Sequence, residues 1–126
     1  MDSPNSNTSF RESPQLNLLF VCSRNQWRSP TAERMYWNDS RVQVRSAGMS
    51  QSGRRLVSVR DIEWADVVMV METRHLQQLR ERFGAAIGRD QCRILDIPDE
   101  YGYMDSELME LLRQSVEPIL DKITCI

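Results

Sequence analysis

No stretch of this sequence is long and apolar enough to cross a bilayer. The longest apolar runs, Leu18–Cys22 and Val67–Met71, fall far short of the roughly 20 residues that a membrane helix needs, so no membrane partner is expected. The amino-terminal MDSPNSNTSF lacks both a basic start and an apolar stretch, so it does not read as a signal peptide, and a cytoplasmic location is expected. A dominant charge is missing too: 16 basic against 18 acidic side chains leave a net charge of −2, which gives no electrostatic case for nucleic acid. Lysine is almost absent, Lys122 being the only one; the remaining basic side chains are arginines, whose planar fork of donors suits oxyanions. Cys22, Cys92 and Cys125 are an odd number without short paired spacing, so neither a zinc site nor a disulfide framework is indicated, no metal or cofactor is expected, and at least one thiol should be free. Histidine is represented by His75 alone, on a polar helical stretch where a surface position is expected.

What is present fits one domain. The chain has 126 residues, 40% hydrophobic and 27% charged, enough for a single modest core. Residues 1–15 are rich in Ser, Asn and Pro and read as a flexible tail, leaving 16–126 as the domain. From Asn17 a continuous apolar run leads to Cys22, as in a strand buried on both faces. After the loop SRNQWR comes a helix in which Ala32, Met35 and Tyr36 share a face, with Ser29 suited to the cap and Pro30 to the first helical position. Further strands are expected at RVQVRSA, DVVMVM and RILDI. Helices are expected at SVRDIEWA, at TRHLQQLRERF with Gly84 as its stop, and after Asp105, where Leu108, Leu111, Leu112, Val116 and Ile119 form a stripe. Strands alternating with helices predict an α/β fold: a small four-stranded parallel sheet with helices on both faces. The loop after its first strand then opens at the carboxyl edge of the sheet, where such folds bind ligands.

That loop is where chemistry is expected. A cysteine thiol is mostly protonated at neutral pH unless positive charge or donated hydrogen bonds stabilise the thiolate. Cys22 follows a strand, its loop runs into a helix amino terminus, and Arg28 closes the loop six positions on. Backbone amides of Ser23, Arg24, Asn25, Gln26, Trp27 and Arg28 can converge on a tetrahedral oxyanion while the Arg28 fork takes two of its oxygens. The same donors would stabilise a transferring phosphoryl group as Cys22 attacks it.

The segment LLFVCSRNQWRSPTAE resembles the signature of the low-molecular-weight protein tyrosine phosphatases, an apolar strand followed by C-x5-R-S-P and a helix. The resemblance spans roughly residues 17–124 and extends more loosely to SAG at 46–48, the DVVMVM strand and an acidic segment near residue 99. It implies a cysteine-dependent hydrolase of phosphorylated proteins or small aryl phosphates that forms a cysteinyl-phosphate and releases inorganic phosphate. It also implies that Asn25 braces the loop and that the Ser29 hydroxyl hydrogen-bonds the sulfur. Such chemistry needs a proton donor for the leaving group. LDIPDEYGYMD follows the last expected strand and so lies at the same sheet edge, and the resemblance assigns the acid there to Asp99, with Asp96 as runner-up and Glu100 behind it. Tyr101 and Tyr103 would wall the cleft.

Departures from the family concern the rim. Arg24 stands where glycine is frequent, Trp27 where many members carry a second cysteine, and the chain between SAG and DVVMVM is short, which implies a trimmed helical segment. Three other readings stand beside the tyrosine phosphatase: a phosphoserine phosphatase acting on protein tails, to whose loop VCSRNQWRS is also similar, a thiol-dependent arsenate reductase, and a non-catalytic phosphate-binding module.

Overall fold

The computed structural model describes residues 15–124; apart from Gln15, the expected tail lies outside the described residues, as does Cys125. In chain order the elements are β1 (Leu16–Cys22), α1 (Arg28–Tyr36), β2 (Val42–Gly48), α2 (Val59–Trp64), β3 (Val67–Val70), α3 (Thr73–Phe83), a 3-10 turn (Gly84–Ala86), β4 (Cys92–Ile94) and α4 (Ser106–Thr124). The strands form one parallel sheet in the order β2-β1-β3-β4. The chain therefore winds to one side of β1 and then to the other, which opens a crevice at the carboxyl end of β1.

Alternation along the central strands divides the core in two. Leu18, Phe20 and Cys22 of β1 and Val67, Met69 and Met71 at β3 face α1 and α4, where they meet Ala32, Tyr36, Leu108, Leu112, Val116 and Leu120. Leu19, Val21, Val68 and Val70 point the other way, onto Ile62, Ala65 and Leu79 from the α2 and α3 side. Burial on both faces is why these strands read as continuous apolar runs. Cutting a fully buried side chain such as Met69 back to alanine costs about 2–5 kcal/mol.

Two details differ from the sequence-based expectations. The β4 ladder stops at Ile94 because Asp96 takes a left-handed backbone, φ 61°; backbone bonds from Leu95 to Val70 and from Ile97 to Met71, both 2.8 Å, still carry the segment along the sheet edge. Helix α1 starts at Arg28, with Trp27 rather than Ser29 at the cap position. The Ser29 hydroxyl is drawn away to the cysteine sulfur, and Pro30 still falls in the first turn, where its missing N–H leaves no bond unmade. Gly84 does end α3, though with a right-handed φ of −42° that leads into the 3-10 turn. The α4 cap is as expected: Asp105 Oδ1 accepts from the amides of Glu107 (2.8 Å) and Leu108 (3.3 Å).

Candidate active site

The loop from Cys22 to Arg28 is held from outside by its own carbonyl groups. Cys22 and Ser23 accept from the amides of Met49 (3.0 Å) and Ser50 (2.8 Å), Arg24 accepts from Arg54 N (3.0 Å), and Trp27 accepts from Thr31 N (3.1 Å). In a trans peptide the N–H points opposite to the C=O. Each carbonyl turned outward therefore turns the following amide, of Ser23, Arg24, Asn25 or Arg28, away from that brace and toward the loop interior. The short segment between β2 and α2, where a trimmed helix was expected, contains no helix and supplies most of these braces. It approaches so closely that side chains are excluded: a Cβ on Gly53 would lie 2.3 Å from Arg24 O, and one on Gly48 would lie 2.8 Å from Asn25 N. This close approach gives the SAG glycine its reason.

Asn25 completes the turn in a left-handed conformation, φ 54°, that asparagine tolerates. Its Nδ2 donates to Ser29 Oγ and to Ser46 Oγ, both 2.9 Å, and Ser46 in turn donates to Glu33. Ser29 Oγ is thus an acceptor for Asn25, and its own proton has two acceptors within reach, Cys22 Sγ at 2.9 Å and the more distant Ala47 O at 3.4 Å. Asn25 thus ties the loop to Ser46 of β2, and the Ser29 hydroxyl lies against the sulfur.

Arg28 is 1% exposed. Its Nη1 donates to a Glu72 carboxylate oxygen and to Ile97 O (2.8 Å), which uses both protons of that nitrogen. The Nε and Nη2 edge is left for a ligand, the bidentate edge that suits two phosphate oxygens. Asp99 Oδ1 lies 3.8 Å from Nε. Cys22, Ser23, Arg24, Gln26, Trp27, Arg28 and Asp99 together line one cavity of about 100 Å³. Asn25 stands behind it as a support. The acidic loop is tied to α1 by Met104 N, which donates to Thr31 Oγ1 (2.9 Å), while that hydroxyl donates to Trp27 O (2.6 Å).

Asp96 and Glu100 do not line this cavity, nor do the two tyrosines. Tyr103 lines an adjoining groove. Tyr101 packs against the α1/α4 core with its hydroxyl 3.4 Å from Glu107.

The structure corrects the expectation for His75, which is fully buried. Its Nδ1 accepts from the amide of Glu72 (3.1 Å), so in the neutral ring Nε2 carries the proton and donates to Ser23 Oγ (3.0 Å). Burial, then the charges of Arg28 and Arg74, push its pKa down from 6.5 to about 4, and the imidazole is neutral at physiological pH. Arg74 also donates to Ser23 Oγ (3.0 Å) and to Glu72 (2.7 Å). Glu72 is held at a pKa of about 2, first by the Arg74 hydrogen bond and then, against its burial, by Arg28. Glu72, Arg74 and His75 were not among the sequence candidates. The available signal was that Glu72 and His75 open α3 directly after β3, the strand beside β1.

Cys92 is half-buried against the opposite face of the sheet, where burial raises its pKa. Among the described residues no group of acids, histidines or cysteines could hold a metal ion, and no helix is long and apolar enough to cross a membrane.

No protein-family model matches the sequence, and no curated protein matches it either. Solved structures do. The YwlE arginine phosphatase of Geobacillus stearothermophilus superposes with a TM-score of 0.63 at 26% identity, over 86% of this chain and 90% of that one. The tyrosine phosphatase Wzb of Escherichia coli K30, solved with phosphate, gives 0.67 at 23% identity over 85% and 97%. A low-molecular-weight phosphotyrosine phosphatase of Vibrio cholerae O395 gives 0.67 at 21% over 87% and 97%.

Proposed function

We propose that this chain, which has the fold of the low-molecular-weight tyrosine phosphatases, is a cysteine-dependent phosphomonoesterase that acts on phosphotyrosine in proteins and on small aryl phosphates. The observation that carries the reading is the convergence of Cys22, the free edge of Arg28 and Asp99 on one small cavity.

The phosphoryl group sits in the loop, two oxygens on Nε and Nη2 of Arg28 and the others on the inward amides. Cys22 Sγ attacks phosphorus as a thiolate. The S–P bond forms, the bond from phosphorus to the leaving oxygen breaks, and the Asp99 carboxyl passes its proton to that oxygen. In the second half the Asp99 carboxylate takes a proton from water as the water oxygen attacks phosphorus. The S–P bond breaks, inorganic phosphate leaves, and the Ser29 hydroxyl donates to the departing thiolate. Glu72 and Ile97 O hold the guanidinium in place throughout, so it need not reorganise as charge develops.

Turnover of an aryl phosphate, beside phosphotyrosine, phosphoserine and phosphoarginine peptides, tests the reading. Cys22→Ser is expected to abolish hydrolysis while inorganic phosphate still binds; a fully active variant overturns the mechanism. Preference for phosphoserine or phosphoarginine would keep the chemistry and change the substrate. Arsenate reduction is not expected, because Cys92, the only other cysteine among the described residues, packs on the opposite sheet face from Cys22.

A further inference from the structure

The catalytic cavity does not end at its rim. Gln26 and Trp27 also form one end of an open groove of about 630 Å³ that runs along the outer side of α1 to Trp37, with Tyr103 on its wall. A phosphoryl group fits the cavity of about 100 Å³; the groove has room for several further side chains. Its aromatic members are among the few large apolar side chains that this protein leaves in solvent: Trp27 is 43% exposed, Trp37 59% and Tyr103 50%. Isolated exposed aromatics need no explanation, but three on one groove that is continuous with a reactive cavity do.

The charge around the groove is equally uneven. Elsewhere Arg28 and Arg74 bind Glu72, Arg41 binds Asp39 and Glu117, Arg45 and Arg55 bind Asp61, and Arg113 binds Glu110, whereas Arg60, Arg80, Arg82, Arg89 and Arg93 have no carboxylate partner among the described residues. Arg34 and Arg54, which line the groove, have no carboxylate partner among the described residues, and neither does Arg24 at the cavity rim. The one carboxylate on the groove, Glu33, is engaged by the Ser46 hydroxyl. A chain with a net charge of −2 thus places three guanidinium groups without a carboxylate partner, those of Arg24, Arg34 and Arg54, around the groove and the mouth of the cavity it adjoins.

We propose that this groove docks the polypeptide on one side of the phosphotyrosine, and that it selects a segment in which acidic residues flank an aromatic or other large apolar side chain. The inference rests on the phosphatase reading. The apolar side chain lies against Trp37 and Tyr103, and the acids meet Arg34 and Arg54. Charges on so open a surface act mainly on selectivity and association, and salt weakens them.

The experiment compares kcat/KM for three substrates: an aryl phosphate, a phosphotyrosyl peptide with acidic and aromatic flanks, and the same peptide with the acids replaced by glutamine. The protein is expected to favour the acidic peptide by about tenfold at low salt and less at high salt. Arg34→Glu with Arg54→Glu should abolish or invert that preference, and Trp37→Ala should lower kcat/KM for both peptides. All three substitutions are at exposed positions and should leave the aryl phosphate within about twofold of its starting value. Equal turnover of the two peptides by the unaltered protein overturns the proposal, as does a preference that survives the double charge reversal. If Trp37→Ala instead changes the oligomeric state by light scattering and leaves the peptide rates unchanged, the groove holds a second copy of this chain and the proposal falls. Absence of aryl phosphate turnover would sink the phosphatase reading alone, since peptide binding by Cys22→Ser, followed through tryptophan fluorescence, reads the groove without chemistry.

Discussion

His75 makes a stability prediction that can be worked through from the structure. The ring is fully buried, and its Nδ1 is the acceptor for the Glu72 amide. A second ring proton would set donor against donor there, and it would add a positive charge beside Arg28 and Arg74, with only Glu72 and Asp99 acting in the other direction. The unfolded chain therefore takes up this proton near pH 6.5 and the folded protein only near about 4. Above pH 6.5 both states carry a neutral imidazole and the group adds no pH dependence. Between the two values the unfolded state holds a proton that the folded state refuses, so stability falls as pH falls. At about 1.4 kcal/mol per pH unit the loss is about 2 kcal/mol by pH 5 and about 3 kcal/mol once complete. Because His75 is the only histidine, and carboxylates ordinarily titrate lower, the interval from pH 7 to pH 5 isolates it.

Urea denaturation followed by tryptophan fluorescence at those two pH values measures the effect. His75→Gln should be less stable than the starting protein at pH 7, because the packing and the two ring hydrogen bonds are disturbed. Its stability should nevertheless change by less than about 0.5 kcal/mol between pH 7 and pH 5. Equal stability of the unaltered protein at the two pH values would refute the reasoning, as would a pH dependence that persists in His75→Gln.

Glu72→Gln removes the carboxylate that anchors Arg28 and Arg74; since Glu72 is partly exposed, a loss at the low end of the range for broken buried pairs is expected, about 3 kcal/mol at pH 7 by urea denaturation, with kcat for an aryl phosphate falling more than tenfold. Its depressed pKa adds stability that is present above pH 4.5 and lost as pH falls toward about 2, so the variant should lack that portion of the acid transition. Asp99→Asn should slow alkyl phosphates far more than aryl phosphates with good leaving groups, measured as the slope of log kcat on leaving-group pKa; an unchanged slope removes Asp99 from the acid role. Trp27 stands where a second loop cysteine could form a protecting disulfide, and Cys92, the only other cysteine among the described residues, is on the other sheet face. Peroxide should therefore inactivate the protein in a way that dithiothreitol does not reverse, and bound phosphate should slow the loss.

The parts of the site legible in the sequence are those set by short-range order. Leu18–Cys22 announces a buried strand because both of its faces are covered, and the spacing from Cys22 to Arg28 announces a closed loop because so few residues separate strand from helix. The segment that carries Asp99 could be placed at the same sheet edge because a strand precedes it, and the resemblance singled out Asp99 within it. His75 could not, since TRHLQQLRERF is polar on most sides and only the packing of α3 against β3 and the loop decides which polar residue is buried. The groove along α1 was hidden for the converse reason: Trp37 and Arg34 look like ordinary surface residues until Tyr103 and Arg54 arrive from distant parts of the chain.

These hidden residues share a single task. The first turn of α3 grips the phosphate loop at both ends: Glu72 holds Arg28 at the far end, while His75 and Arg74 hold Ser23 beside the nucleophile. Both grips depend on His75 being neutral. A charged imidazole would compete with Arg28 and Arg74 for the one carboxylate between them and would lose its acceptor for the Glu72 amide. A neutral one leaves Glu72 to the two guanidinium groups and still donates to Ser23 through Nε2. Ser23 Oγ then accepts from both His75 and Arg74, which holds in place a residue that lines the cavity. The loop's geometry and the charge state of a residue that touches no substrate are thus one property. Acid should therefore lower stability from about pH 6.5 downward, while activity is lost through His75 only as the folded protein itself takes up the proton, near about pH 4.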